Sequence, residues 1–279
     1  MNTSITIITL SLIVGAQFLA GAQAQTPAAG PSVEEVIQHC EYKPVGDDQK
    51  ARMTLINKNK EGLERKSIYR RFLRFYGGDD NQVLEKMLLF AEYPQDSAGI
   101  GFMRWEYVPE ANRPPDQWLY TPSLRNVRRI SVRDAGESFL GSTLALGDIG
   151  VRGIKQDKHT YLGIHRQGQK EYYVIESIPQ EENAIYSKRV SYYAKTPEWS
   201  QCYKEAVQYF DPKGFRLKTQ LIRWQQVNGA WIWAHVEVLN HQTEQLSIFD
   251  LDEIELNTGL KDSLFDERVL RRGLDKIRE

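Results

Sequence analysis

The feature that most constrains this chain is a long succession of short segments with alternating apolar and polar residues, separated by turn residues. Period-two alternation sends successive side chains to opposite faces of a strand. From Lys50, Met53 and Leu55 alternate with polar neighbours up to a turn near 59–62, and the run 64–76 interleaves Ile68, Phe72 and Tyr76 with Arg70 and Arg74. Residues 100–107 put Met103, Trp105 and Tyr107 on one face and Arg104 and Glu106 on the other. Residues 83–91 read as a strand largely apolar on both faces. The runs 117–121, 171–178, 185–194, 204–210, 215–225, 231–239 and 247–256 read as strands too, and Gly-containing turns at 211–214 and 227–229 read as hairpins. The expected fold is mainly β with a few helices: one large antiparallel sheet, strongly curved or closed into a barrel. Helices are expected at 32–41 and at 264–277, and a turn or helix near 143–149. In the first, Ser32 and Glu35 form a capping box, and Val33, Val36, Ile37 and Cys40 make an apolar stripe. A curved sheet is also a container, and the pattern leaves open whether its interior is filled or hollow.

Ahead of this region, residues 1–24 read as a signal peptide. An apolar run from Ile5 to Leu19 is followed by Ala22-Gln23-Ala24, although no Lys or Arg precedes it. Residues 25–31 form a flexible lead-in, and 32–279 a single domain. No Cys stands at a cleavage position, which argues against an acylated anchor. The formal net charge of -1 gives no electrostatic case for nucleic acid. Cys40 and Cys202 are the only cysteines. An exported chain could join them in a disulfide closing a long loop, or bury them as free thiols; both readings stay open.

Catalytic patterns are missing: the chain has no Gly-x-Ser-x-Gly, no His-Glu-x-x-His and no phosphate-binding loop. His159 with His165, and His235 with His241, stand six residues apart, about 20 Å along a strand and too far for one metal. They read as solvent-facing strand histidines, and no metal or cofactor is implied. The six Trp fit a packed β core or an aromatic-lined site. Arg125, Arg128 and Arg129 beside Leu124, Val127 and Ile130 fit either a solvated basic edge or the anionic-headgroup rim of an apolar pocket.

The stretch Asp116-Gln117-Trp118-Leu119-Tyr120-x-Pro122-x-Leu124-Arg125-x-Val127-Arg128-Arg129-Ile130-Ser131, followed by Ser138-Phe139-Leu140-Gly141-Ser142, resembles the outer-membrane lipoprotein-sorting protein family of the LolA/LolB-like superfamily. Phe90-x-x-x-Pro94-x-Asp96-x-x-Gly99 upstream, and Tyr186-Ser187-Lys188 and Phe210-Asp211-x-x-Gly214 downstream, fit the same pattern. The resemblance implies a half-open antiparallel β-barrel closed by short helices, with acyl chains held in an apolar cavity. It also implies a periplasmic, non-enzymatic protein, often working beside transporters of the resistance-nodulation-division type. Where the family carries acidic and aromatic residues after Gly141-Ser142, this chain has Thr143, Leu146 and Gly147, and only Asp148 remains. Joined to the strand reading, this makes Phe90, Phe102, Trp105, Trp118, Tyr120, Phe139 and Leu140 the candidate cavity residues, with Arg125, Arg128 and Arg129 facing a head group. The loop Asp134-Ala135-Gly136 is the candidate hinge. The expected partner is a lipid or lipoprotein acyl chain; the alternative is a transporter adaptor without a lipid.

Overall fold

In the computed structural model the described residues are 30–41, 46–78, 81–131 and 135–273. The expected signal peptide, most of the expected lead-in and Asp134 lie outside them. The first element is the helix α1 (Val33–Glu41), opened by the expected capping box: the Glu35 N–H donates to Ser32 Oγ at 3.1 Å and the Ser32 N–H to Glu35 Oε2 at 2.8 Å.

Thirteen strands follow: β1 (Asp48–Lys58), β2 (Glu64–Phe75), β3 (Val83–Tyr93), β4 (Gly101–Tyr107), β5 (Asp116–Thr121), β6 (Asn126–Ile130), β7 (Asp157–Gln167), β8 (Lys170–Pro179), β9 (Lys188–Ala194), β10 (Lys204–Phe210), β11 (Arg216–Val227), β12 (Ala230–Asn240) and β13 (Leu246–Leu256). They form one antiparallel sheet in the order β6-β5-β4-β3-β2-β1-β13-β12-β11-β10-β9-β8-β7. The topology is two meanders, β1–β6 and β7–β13, joined where β1 pairs with β13 (Leu55↔Phe249). The edge strands β6 and β7 do not pair, so the barrel is open. The small helix α2 (Glu267–Arg272) starts later than the 264–277 helix expected, because a 3₁₀ turn occupies Asp262–Phe265.

Ring contacts reveal the direction of curvature. Phe102 on β4 and Phe249 on β13 lie four strand spacings apart, roughly 19 Å in a flat sheet at about 4.8 Å per strand. Both touch the ring of Phe139, at 5.4 and 6.4 Å between centroids, so they are at most about 12 Å apart. The sheet therefore curls toward the face carrying Met53, Leu55, Leu89, Phe102, Val238 and Phe249. The opposite, convex face of the first meander carries Phe72, Leu88, Phe90 and Met103, and a C-terminal flap covers it with Leu260, Leu264, Phe265 and Leu270. Strand β3 is thus buried on both sides, as its largely apolar run predicts: Leu89 and Ala91 face in while Leu88 and Phe90 face out.

The flap is tied down by one carboxylate. Asp48 accepts from the Thr258 N–H (2.7 Å) and hydroxyl (2.8 Å), the Gly259 N–H (2.8 Å) and the Leu260 N–H (2.9 Å). At the other end of the sheet, Cys40 and Cys202 form a disulfide with Cα atoms 4.9 Å apart, fastening α1 to the 3₁₀ turn ahead of β10. This resolves the question of the cysteines in favour of the bridge.

Candidate functional site

Between the two edge strands, residues 135–156 fold back into the concave trough. Residues 135–148 form a hairpin tongue: Phe139 N–H donates to Leu144 O (2.8 Å), Leu146 N–H to Glu137 O (2.8 Å) and Gly147 N–H to Ala135 O (2.9 Å). Ser138 and Ala145 face each other across it. Its tip reverses through Leu140 (φ 53°) and Gly141 (φ 75°), and Ser142 Oγ caps Phe139 O at 2.7 Å. The apolar residues of the tongue, Phe139, Leu144 and Leu146, are buried against Leu55, Leu89, Phe102, Val238 and Phe249.

A small set of polar contacts holds the tongue in place. Thr143 N–H donates to Ser247 Oγ (2.9 Å) and its hydroxyl to Val238 O (3.0 Å). Lys218 on β11 forms a buried ion pair with Asp148 and donates to Thr143 O at 3.1 Å. Asp148 also accepts from the Tyr186 hydroxyl at 2.8 Å and from Ala145 N–H at 2.6 Å. Burial pushes the Lys218 ammonium below its ordinary range against the pull of Asp148, and burial, then the Asp148 charge, push Tyr186 up. Asp148, the one acidic residue kept in the motif, is thus the knot between the tongue and the second meander.

A second polar group lies under the tongue on the first meander. Arg104 donates to Gln117 Oε1 (3.0 Å) and Leu146 O (3.2 Å) and pairs with Glu106; Arg71 bonds Gln49 beside Glu85. Burial raises the carboxyls of Glu85 and Glu106 against the pull of the arginines, and lowers Arg71 to about 10. A side chain at Gly150 would collide with the Arg104 guanidinium, so only glycine lets the chain pass there. Alternation reveals that Arg104 and Glu106 share a face, but not that this face is concave and covered.

Beyond the tongue, its return leg, α1 and strands β7–β11 enclose a chamber of about 270 Å³. A wider cleft of about 750 Å³ lies on the convex side, between the flap and β1, β2 and β13.

The sequence-predicted residues divide between the faces. Phe102, Phe139 and Leu140 meet in the concave cluster, whereas Phe90, Trp105, Trp118 and Tyr120 pack under the flap on the convex face. Trp105 donates its indole N–H to Phe265 O at 3.2 Å, and its ring meets Trp118 edge-on at 5.2 Å. The three arginines do not form one rim either. Arg125 sits in the β5–β6 turn with φ 48°, Arg128 approaches Glu137 of the tongue at 3.6 Å, and Arg129 pairs with Asp116 on the convex side. Strand parity forbids their union, since Arg128 and Arg129 are neighbours on β6.

The histidines correct the solvent-facing reading in part. His159 is half-buried in the chamber wall, with Nδ1 2.8 Å from Ser177 Oγ and Nε2 2.8 Å from Ile154 O, while a bulge at Gly163 (φ 106°) turns His165 outward to the Tyr172 and Tyr192 rings. Among the described residues no cluster of His, Cys, Asp or Glu has the arrangement to hold a metal.

Comparison with known proteins agrees with this geometry. Residues 15–151 match the model of DUF1329, a family described as proteins of unknown function, and residues 84–272 match a second model described as an uncharacterized protein. No curated protein matches. Among solved structures, a domain described as an outer membrane lipoprotein-sorting protein from Vibrio parahaemolyticus superposes with a TM-score of 0.74 at 27% identity, over 86% of this chain and 96% of that one. A DUF1329 family protein from Desulfovibrio piger gives 0.73 at 20% identity, covering 85% and 95%. A LolA superfamily protein from Nitrosomonas europaea gives 0.63 at 15% identity, covering 86% and 99%. With its open thirteen-stranded sheet and its central motif folded into a tongue, the chain has the fold of these LolA-like structures and, over residues 15–151, matches the DUF1329 family.

Proposed function

We propose that this protein is a periplasmic, non-enzymatic carrier that shelters an acyl chain of a lipid or lipoprotein in its concave trough, with the tongue as the stopper that the chain displaces. The observation that carries this reading is that the apolar floor of an open half-barrel is covered by a hairpin of the connecting segment rather than by a strand of the sheet. Such a cover can leave without breaking the sheet's hydrogen-bond ladder.

The energies are comparable, which is what reversible exchange needs. Burying the three tongue side chains Phe139, Leu144 and Leu146 is worth about 5–9 kcal/mol at 1.5–3 each. An acyl chain burying a dozen methylenes gains about 10 kcal/mol at 0.8 each. Neither competitor wins outright, so a small change in the polar contacts of Asp148, Lys218 and Thr143 decides which occupies the trough. The export signal read at residues 1–24 puts the carrier in an aqueous compartment where a free acyl chain is costly to solvate.

Native mass spectrometry of the purified mature protein, with organic extraction of anything bound, tests this. Co-purified or added phospholipid or acylated peptide held as a stoichiometric adduct is the expected result. A protein of bare polypeptide mass that takes up no added lipid contradicts it, and moves the transporter-adaptor reading to first place.

A further inference from the structure

The most exposed apolar side chains stand at one end of the sheet. We infer that this end is a membrane-docking rim, which seats the protein on a bilayer containing anionic phospholipid. The inference goes beyond the carrier reading, because docking requires no bound acyl chain.

Lys58, the last residue of β1, pairs with Leu246, the first of β13. Antiparallel order therefore brings the β1–β2, β5–β6, β10–β11 and β12–β13 turns to the same rim. Leu63, Leu124 and Phe215, the three most exposed large apolar residues among those described, are 72%, 73% and 66% exposed. They occupy the β1–β2, β5–β6 and β10–β11 turns in that order. Along the sheet, neighbours in this set stand four strands apart, roughly 19 Å at about 4.8 Å per strand.

A single exposed apolar residue is ordinary on a protein surface; three sharing one rim are not explained that way. The turns themselves are built by other groups. Asn59 Oδ1 accepts from the Leu63 N–H at 2.8 Å, and the Arg125 N–H donates to Pro122 O at 3.1 Å. Asp211 Oδ1 accepts from the N–H groups of Lys213 and Phe215 at 3.0 and 2.9 Å. None of these bonds uses the apolar side chain, which is left to face a surface outside the molecule.

Each apolar tip has a base beside it: Arg65 after Leu63, Arg125 after Leu124, and Lys213 and Arg216 around Phe215. The acids of the same turns are already engaged, since Glu64 pairs with Lys58 at 2.5 Å, Glu61 lies 3.7 Å from Lys60, and Asp211 also accepts from Gln242 at 2.8 Å. Asp96, Glu182 and Glu244 lie on the other loops of this end. A protein partner would bury a contiguous apolar core. Separate apolar tips with flanking bases instead match a bilayer surface, where the side chain enters the acyl boundary and the base stays with the phosphates. The tongue tip emerges here too: Gly141 and Thr143 line a cavity of about 270 Å³ with Asn57, Leu63, Arg65 and Leu246. On the carrier reading, a docked rim presents the tongue tip to the lipid.

Flotation of the full mature protein with vesicles tests this, with equal parts phosphatidylethanolamine and phosphatidylglycerol in one set and phosphatidylcholine alone in the other. The protein is expected to float with the anionic vesicles, less with the neutral ones, and less as salt rises. Leu63→Ser, Leu124→Ser and Phe215→Ser should each weaken association by about tenfold, the scale of one apolar side chain leaving the bilayer. Leu221→Ser, at an exposed position on a strand away from the rim, should leave association unchanged. All four variants should keep the wild-type denaturation midpoint, because each side chain is exposed. No flotation with the anionic vesicles, or flotation undiminished when all three tips are replaced, overturns the docking inference. Either result leaves the carrier reading to its own test, the lipid adduct formed in solution.

Discussion

At the scale of single residues, buried carboxylates act as fasteners, each fixing an element the sheet alone does not hold. Asp48 is the clearest case. Burial pushes its carboxyl upward, but the bonds from Thr258, Leu260 and Gly259 outweigh that and hold it below its ordinary 3.8. A lowered folded value means that this stabilisation is complete above the unfolded value and is lost as pH falls through the folded one. Asp48→Asn turns an amide N–H toward backbone N–H donors, a cost of about 1–3 kcal/mol at neutral pH. Denaturant midpoints of wild type and variant should therefore differ at pH 6 and converge toward pH 3; an equal gap at both would contradict this role for Asp48. None of it was legible in the sequence, where Asp48 is one of two adjacent aspartates and its partners lie 210 to 212 positions away. The same holds for Arg104 and Glu106. Their alternation with Met103 and Trp105 is legible in the sequence, but nothing there tells that the structure satisfies them under the tongue.

At the scale of elements, period-two alternation located the strands with a well-buried face, which forces the pattern, and missed the mostly exposed edge strands β6 and β7. What it cannot assign is concavity, so residues from both faces entered one candidate cavity. Phe102 and Trp105 differ by an odd number of positions on β4 and must point to opposite sides. The tongue was legible only as a motif, since a hairpin of mixed Gly, Ser and Leu has neither strand nor helix period. Its hold on the trough can be measured. Phe139→Ala removes a buried ring in contact with Phe102 and Phe249, and should cost about 3–5 kcal/mol in denaturation. The same change weakens the stopper, so acyl occupancy at a fixed lipid concentration should rise. Loss of stability with reduced occupancy would mean that Phe139 helps to bind the chain instead of competing with it.

At the scale of the whole molecule, the two meanders meet at β1 and β13 and leave the opposite rim open, so that a connecting segment, a disulfide-pinned helix and a flap close what the strands do not. The central claim is that the tongue leaves the trough when an acyl chain enters. Hydrogen exchange read by mass spectrometry, with and without added phospholipid, tests it most directly. The reporting amide is that of Thr143, which donates to Ser247 Oγ on β13 only while the tongue is seated, whereas the N–H groups of Phe139, Leu146 and Gly147 bond within the hairpin itself. Lipid is predicted to accelerate exchange at Thr143 and to leave the amides of β1 and β13 unchanged or slower. Bound lipid with the Thr143 amide equally or better protected would place the chain elsewhere and contradict the account.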